Sequence, residues 1–208
     1  ENESRFAVVP PGVNREIFNP QPDSLDARIE ERITRVIQRD LGEERLGLPL
    51  VLVSSRLDVK KNHIAAVQAF AVNRRLRERA NLALVVRGLE SPLEDFGELS
   101  PSEAAILEAI VKVIDQHDLQ DVVTAFPLNN QPELAAAYRV LRKTHSVFCL
   151  PALYEPFGLA PLEAMSCGLP AVVTRNGGPS ESMREDGKRF GVLIDPMDAH
   201  DIARGLLE

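Results

Sequence analysis

No apolar run in these 208 residues is long enough to cross a bilayer, and there are only two cysteines. The first lack excludes a membrane-spanning helix, which needs about 20 consecutive apolar residues. The second excludes a disulfide framework. Cys149 falls in the apolar run Ser146–Leu150 and Cys167 near the end of the helical run that follows, so both read as small buried hydrophobes. His145 is close by in sequence but reads as a loop histidine rather than the base of a Cys–His pair. His63, His117, His145 and His200 share no common spacing and there is no D-x-D, so no metal centre is expected. Basic excess is also missing: 24 lysines and arginines face 31 acids, a net charge of −7, which argues against a nucleic-acid or anionic-membrane surface. The opening Glu1-Asn-Glu-Ser-Arg5 is not a signal peptide, and the expected location is the cytoplasm.

What is present is an alternation. Leu50–Ser55, Leu82–Arg87, Val122–Phe126, Val147–Leu150, Ala171–Thr174 and Val192–Ile194 are short, apolar and β-branched, the pattern of strands buried on both faces. Between them Asn62–Arg79, Ser102–His117, Pro132–Lys143, Ala160–Cys167, Ser180–Arg184 and Ala199–Leu207 read as helices. Ahead of them Leu25–Leu41 alternates charged and aliphatic residues at helical spacing. Repeated βα units predict an α/β fold: a Rossmann-like three-layer domain with a parallel sheet of about six strands. The composition, 44% hydrophobic and 26% charged, is that of one ordinary globular domain.

In such a sheet ligands bind at the carboxyl ends of the strands. Arg56, Lys60 and Lys61 follow the first strand, Arg87 and Gly88 the second, Pro127–Asn130 the third, Tyr154–Leu159 the fourth and Asn176–Gly178 the fifth. Topology alone brings these segments to one edge. The G-x-G-x-x-G turn of dinucleotide sites is missing there, since Ser54-Ser-Arg-Leu-Asp-Val-Lys-Lys-Asn62 contains no glycine, and no Walker motif occurs. Arg56 and Lys61 instead suit a phosphate, one as a bidentate fork and one as a point charge. By composition alone they read equally well as a solvated loop and a helix start.

The fourth βα connection is Glu155-Pro-Phe-Gly-Leu-Ala-Pro-Leu-Glu163. Pro156 keeps Glu155 out of the α region, and Pro161 suits a first helical turn. Glu155 is therefore expected on an extended or looped segment, with Glu163 about one turn into a helix that opens near Leu159 or Ala160. A helix mouth with free N–H groups between two carboxylates can hold a phosphate. Eight residues of helix span about 12 Å, and an extended start lengthens that. Glycosidase carboxylates stand roughly 5 to 9.5 Å apart, so a hydrolytic pair is disfavoured.

The segment VFCLPALYEPFGLAPLEAMSCGLPAVVTRNGGP, with PALYEPFGL and NGGP as its specific parts, resembles the donor-binding signature of retaining glycosyltransferases of family 4. The group it resembles is that of sucrose-phosphate synthase and sucrose synthase, whose R-L-D-x-x-K-N segment is matched by Arg56–Asn62. The resemblance runs from Val8 to Leu207 and covers half of such an enzyme. It implies the C-terminal half of a GT-B architecture. Residues 1–20 would then be an interdomain linker, residues 21–208 the nucleotide-sugar-binding domain, and an N-terminal acceptor domain would complete the enzyme. Arg56, Lys61 and Glu155 would be catalytic, the two cations on the diphosphate and Glu155 at the donor sugar. Glu163 would accept the ribose hydroxyls. Phe157, Gly158 and Leu159 would reach sugar and diphosphate, Leu128 would stand where the base is read, and Gly177 and Gly178 would border the cleft.

The reaction implied is transfer of glucose from UDP-glucose to fructose 6-phosphate without a cofactor or metal. Sucrose synthase, another disaccharide-phosphate synthase with a different donor, and a non-catalytic nucleotide-binding module stay open as alternatives.

Overall fold

The computed structural model describes residues 11–97 and 99–208, so the first half of the expected 1–20 linker segment, with its strand-like run Phe6-Ala-Val-Val9, lies outside the described residues. In chain order the elements are α1 (Ser24–Asp40), β1 (Leu50–Ser54), α2 (His63–Val72), α3 (Arg74–Arg77), β2 (Asn81–Val85), α4 (Pro101–Gln116), β3 (Val123–Phe126), α5 (Gln131–Leu141), β4 (Val147–Leu150), α6 (Leu159–Ser166), β5 (Ala171–Thr174), α7 (Pro179–Ser182), β6 (Arg184–Glu185), β7 (Lys188–Arg189), β8 (Val192–Ile194) and α8 (Ala199–Leu207). Six strands form one all-parallel sheet in the order β3-β2-β1-β4-β5-β8.

Side chains of successive strand residues point to opposite faces, and the two cores follow that period. Leu50 and Leu52 of β1 join a cluster with Ile29 and Ile33 of α1, Tyr138 of α5 and Ala164 of α6. Val51 and Val53 join the opposite cluster, with Phe70 of α2, Leu107 and Ile110 of α4 and Ile202 of α8. The three layers expected from the alternation are thus present. No helix among the described residues is long and apolar enough to cross a membrane.

The Leu25–Leu41 pattern becomes α1, started by a capping box between Asp23 and Asp26. It is anchored by a buried fork in which Arg139 Nη2 donates to Asp26 Oδ1 at 2.7 Å. Burial pushes the Asp26 carboxyl up, but the hydrogen bonds and charge of Arg139 outweigh it and hold its pKa below the usual value. Ahead of α1, Phe18 is buried against the Tyr138 ring at 6.3 Å, and Arg142 Nη2 donates to the Pro20 carbonyl at 3.0 Å.

Two elements differ from the sequence expectation. The single helix over Asn62–Arg79 is broken at Asn73, whose extended backbone ends α2 and whose side chain accepts from Leu76 N–H to start α3. The charged stretch after Met183 forms the small β6–β7 hairpin, turned through Asp186 and Gly187 at φ 49° and 76°. That is an Asp-Gly turn of the kind hairpins favour.

Candidate functional site

The order in which strands are added switches sides between β1 and β4: β2 and β3 extend from one side of β1, while β4, β5 and β8 extend from the other. The loops at the carboxyl ends of these two strands therefore border the crevice at the switch point. The conformation of the first loop is set by two polar residues. The Asp58 side chain accepts from Lys60 N–H at 2.8 Å and starts a 3-10 turn over Val59–Lys61. Asn62 takes the left-handed conformation at φ 56° and donates its amide to the carbonyls of Pro151, 3.0 Å, and Pro196, 2.8 Å. One side chain thereby ties together the loops after β1, β4 and β8.

The fourth loop is bound to the fifth. Glu155 forms a bridge with Gly177; its N–H donates to the Asn176 carbonyl at 3.0 Å, and its own carbonyl accepts from Gly178 N–H at 2.9 Å. Gly177, at φ 97°, is needed for this approach, because a Cβ there would run into the Glu155 carbonyl oxygen. At Gly178 a Cβ would stand 2.6 Å from the Phe157 oxygen. Asn176 fastens the same pair of loops, its amide donating to the Leu153 carbonyl at 2.9 Å.

Within this frame the two glutamates have the settings their prolines predict. Glu155 stands in the loop and Glu163 is the fifth residue of α6, which opens at Leu159 after Gly158 at φ 78°. Among the described residues no side chain caps α6. Lys61 Nζ donates to Glu155 Oε2 at 2.7 Å, and Gly158 N–H donates to Glu155 Oε1 at 3.3 Å. Lys61 and Glu155 are therefore already partnered with each other, both largely screened from water. Glu163 is half-buried, and loss of solvent pushes its carboxyl pKa above the usual value. Phe157 is 62% exposed and stands proud of the loop, whereas Gly158 is buried and Leu159 half-buried.

Arg56 and Leu128 lie on the other side of the switch point. With Ser55, Arg87, Ser100 and Glu103 they line an open cleft of about 580 Å³ over the ends of β1, β2 and β3. Arg56 and Arg87 are exposed and Leu128 is buried in the wall. Arg32 holds the Leu128 loop by donating to the Pro127 carbonyl at 3.2 Å and to Glu133 at 2.9 Å. A larger groove of 770 Å³ between the 11–23 segment and α5 contains none of these residues, and its Arg139 is bound to Asp26. Among the described residues no group of three or more histidine, cysteine or acidic side chains is placed to hold a metal ion.

The predicted residues thus fall into two neighbouring sets: Arg56 with Leu128, and Lys61 with Glu155, Phe157, Gly158, Leu159, Glu163, Gly177 and Gly178. Sequence reasoning missed the loop-fastening roles of Asn62 and Asn176. It also missed the pair formed by buried His63 and Ser55, whose Nε2 and Oγ are 3.1 Å apart. For His63 a signal existed, an imidazole opening the otherwise apolar run Ile64–Val67.

An α6 mouth without a side-chain cap, cations on the facing loop and a cleft beside them are features suited to an extended anionic ligand. Comparison with known proteins agrees in class. The family profile described as glycosyl transferases group 1 matches residues 35–208, and the chain belongs to that family. Its structural neighbours are GT-B glycosyltransferases. A probable sucrose-phosphate synthase 2 of Craterostigma plantagineum is 42% identical over 98% of this chain and 19% of its own length. The solved sucrose-phosphate synthase of Thermosynechococcus elongatus is 26% identical, with a TM-score of 0.66 over 94% of this chain and 41% of that one. Anabaena HepE, solved in complex with UDP-glucose, shares the fold at a TM-score of 0.64 and 20% identity, over 93% of this chain and 44% of that one. The chain spans about a fifth of the length of the curated relatives it matches.

Proposed function

We propose that this chain is the nucleotide-sugar-binding half of a retaining glucosyltransferase that carries glucose from UDP-glucose to fructose 6-phosphate. The observation that carries the reading is the convergence of Lys61, Glu155 and the uncapped mouth of α6 at the β1/β4 switch point, beside the Arg56 cleft. Relatives that are sucrose-phosphate synthases, and a neighbour of the same fold whose structure contains UDP-glucose, support the choice of donor.

The base lies in the 580 Å³ cleft against Leu128, and the ribose extends from it toward α6, where Glu163 accepts its hydroxyls. The diphosphate spans the switch point, met by Arg56 and Lys61 and by the N–H groups at Leu159 and Ala160. As the bond to the diphosphate breaks, negative charge grows on its oxygen, and the two cations stabilise that charge more than the ground state. The sugar left behind has oxocarbenium character, and Glu155 orients it. The acceptor attacks from the face the diphosphate leaves, giving retention. The acceptor sits in an N-terminal domain that precedes this one, so the chain by itself binds donor and does not turn over.

Calorimetric titration with UDP, GDP, ADP and their glucose or mannose conjugates tests the reading. UDP and UDP-glucose bind, uridine binds more weakly, and affinity falls as salt rises. Equal affinity for uridine and UDP overturns the diphosphate assignment, and preference for GDP-mannose overturns the donor.

A further inference from the structure

His63 has no part in the reading above, yet it sits directly beneath the cleft. It is the first residue of α2, 1% exposed, and its neighbours on the inner face of that helix are Ala66, Val67 and Phe70. An imidazole there gives up its hydration for a side-chain contact from Nε2 to Ser55 Oγ at 3.1 Å; its Nδ1 is buried with no hydrogen-bond partner among the described residues. Ser55 joins β1 to Arg56, is half-buried, and lines the cleft together with Arg56 and Arg87. The serine therefore faces the imidazole below and the open cleft above.

The donor and acceptor roles follow from the partners. Burial lowers the imidazole pKa to about 4, a backbone hydrogen bond at Ser55 and the charge of Asp58 opposing it and the charge of Lys61 adding to it, so the ring is neutral at pH 7 with one N–H. A proton on Nδ1 would be a buried donor with no acceptor, rarer in proteins than an unfilled acceptor. The proton therefore resides on Nε2 and is donated to Ser55 Oγ. A hydroxyl that accepts from below keeps its own proton to donate, and the open direction is the cleft, beside the Arg56 guanidinium.

We propose that Ser55 is a phosphate-binding residue, its hydroxyl donating to a diphosphate oxygen of a nucleoside diphosphate, and that His63 is the positioning residue that turns it there. The proposal rests on the donor-site reading above and names two residues that reading does not use. Arg56 supplies the charge, and Ser55 supplies a directed neutral donor next to it.

The test is a set of variants of this chain, titrated with UDP and with uridine, each checked by its thermal transition. Ser55→Ala weakens UDP about tenfold or more, the lower range for a hydrogen bond to a charged group, and leaves uridine unchanged. Ser55→Thr keeps the hydroxyl and stays close to the unaltered protein. His63→Gln, whose amide nitrogen reaches about as far as Nε2, retains UDP affinity; His63→Leu fills the space without a donor and loses as much as Ser55→Ala. In the Ser55→Ala background His63→Leu has no further effect on UDP. Unchanged UDP affinity in Ser55→Ala, or an equal additional loss from His63→Leu in that background, overturns the proposal, the second outcome assigning His63 to packing alone. If the unaltered chain binds UDP no better than uridine and Arg56→Ala changes nothing, the donor-site reading itself has failed.

Discussion

The two sides of the switch point use polar residues in opposite ways. Over β1, β2 and β3 the cleft is open, and its cations Arg56 and Arg87 are exposed to solvent. Over β4 and β5 the polar groups have already found one another: Lys61 with Glu155, Glu155 with Gly158, and the backbone of Glu155 with Asn176 and Gly178. A ligand entering the first side displaces mainly water. On the second side it competes with an ion pair at 2.7 Å, so part of its interaction with Lys61 replaces one that the protein had formed by itself. On the proposed reading the open side contributes more to affinity, and the closed side carries an ion pair that ligand binding has to loosen.

The largest expected effect breaks the closed side. Gly177→Ala places a Cβ against the Glu155 carbonyl at a φ of 97°, and costs about 3 kcal/mol of unfolding free energy, the upper range for backbone strain of this kind. Denaturant titration measures it; a loss below about 0.5 kcal/mol, the usual scale for an uneventful surface change, would show that the two loops are not locked together.

Acid probes the floor of the open side. Between pH 6.5 and about 4 the unfolded chain takes up a proton at His63 that the folded chain refuses, so stability rises with pH across that window and falls as the solution is acidified. The full effect is about 3 kcal/mol, from 1.36 kcal/mol per pKa unit. His63→Gln flattens this part of the pH–stability profile. An unchanged slope in that variant would mean that His63 titrates normally.

Charge removal compares the two sides directly. Arg56→Ala costs about 1.5 to 3 kcal/mol of UDP binding, as for a hydrogen bond to a charged group, with little change in thermal transition because the side chain is exposed. The smallest effect is expected at the ion pair. Glu155→Gln removes the charge that holds Lys61 and tightens UDP by about 1 kcal/mol, the upper end of what exposed pairs contribute and a modest value for a pair largely screened from water. Calorimetry at low salt reads both, and weaker UDP binding by Glu155→Gln would show that the carboxylate assists the diphosphate instead of competing for Lys61.

The sheet was legible because each of its strands is a run of apolar, β-branched residues too short for a helix. Parallel strands covered on both faces leave that trace. The β6–β7 hairpin left a different one: its strands are charged and exposed, and only Asp186-Gly187 marked the turn. The break at Asn73 was hidden because Arg74–Arg77 is helical again at once, and a side-chain cap does not interrupt the hydrophobic pattern.

Local backbone chemistry in the sequence determined where the site's loops lie and how its glutamates are set. Pro156, Gly158 and Pro161 restrict φ within a few residues of themselves, so Glu155 in a loop and Glu163 on α6 follow without knowledge of the rest of the chain. Only the tertiary structure decided which groups face one another. Lys61 and Glu155 are 94 positions apart, and Asn62 reaches a carbonyl 134 positions away. The first contact exists because β1 and β4 are neighbours in the sheet and the second because α2 packs against α8, and these placements are set by the packing of whole layers, not by any property of the residues that meet.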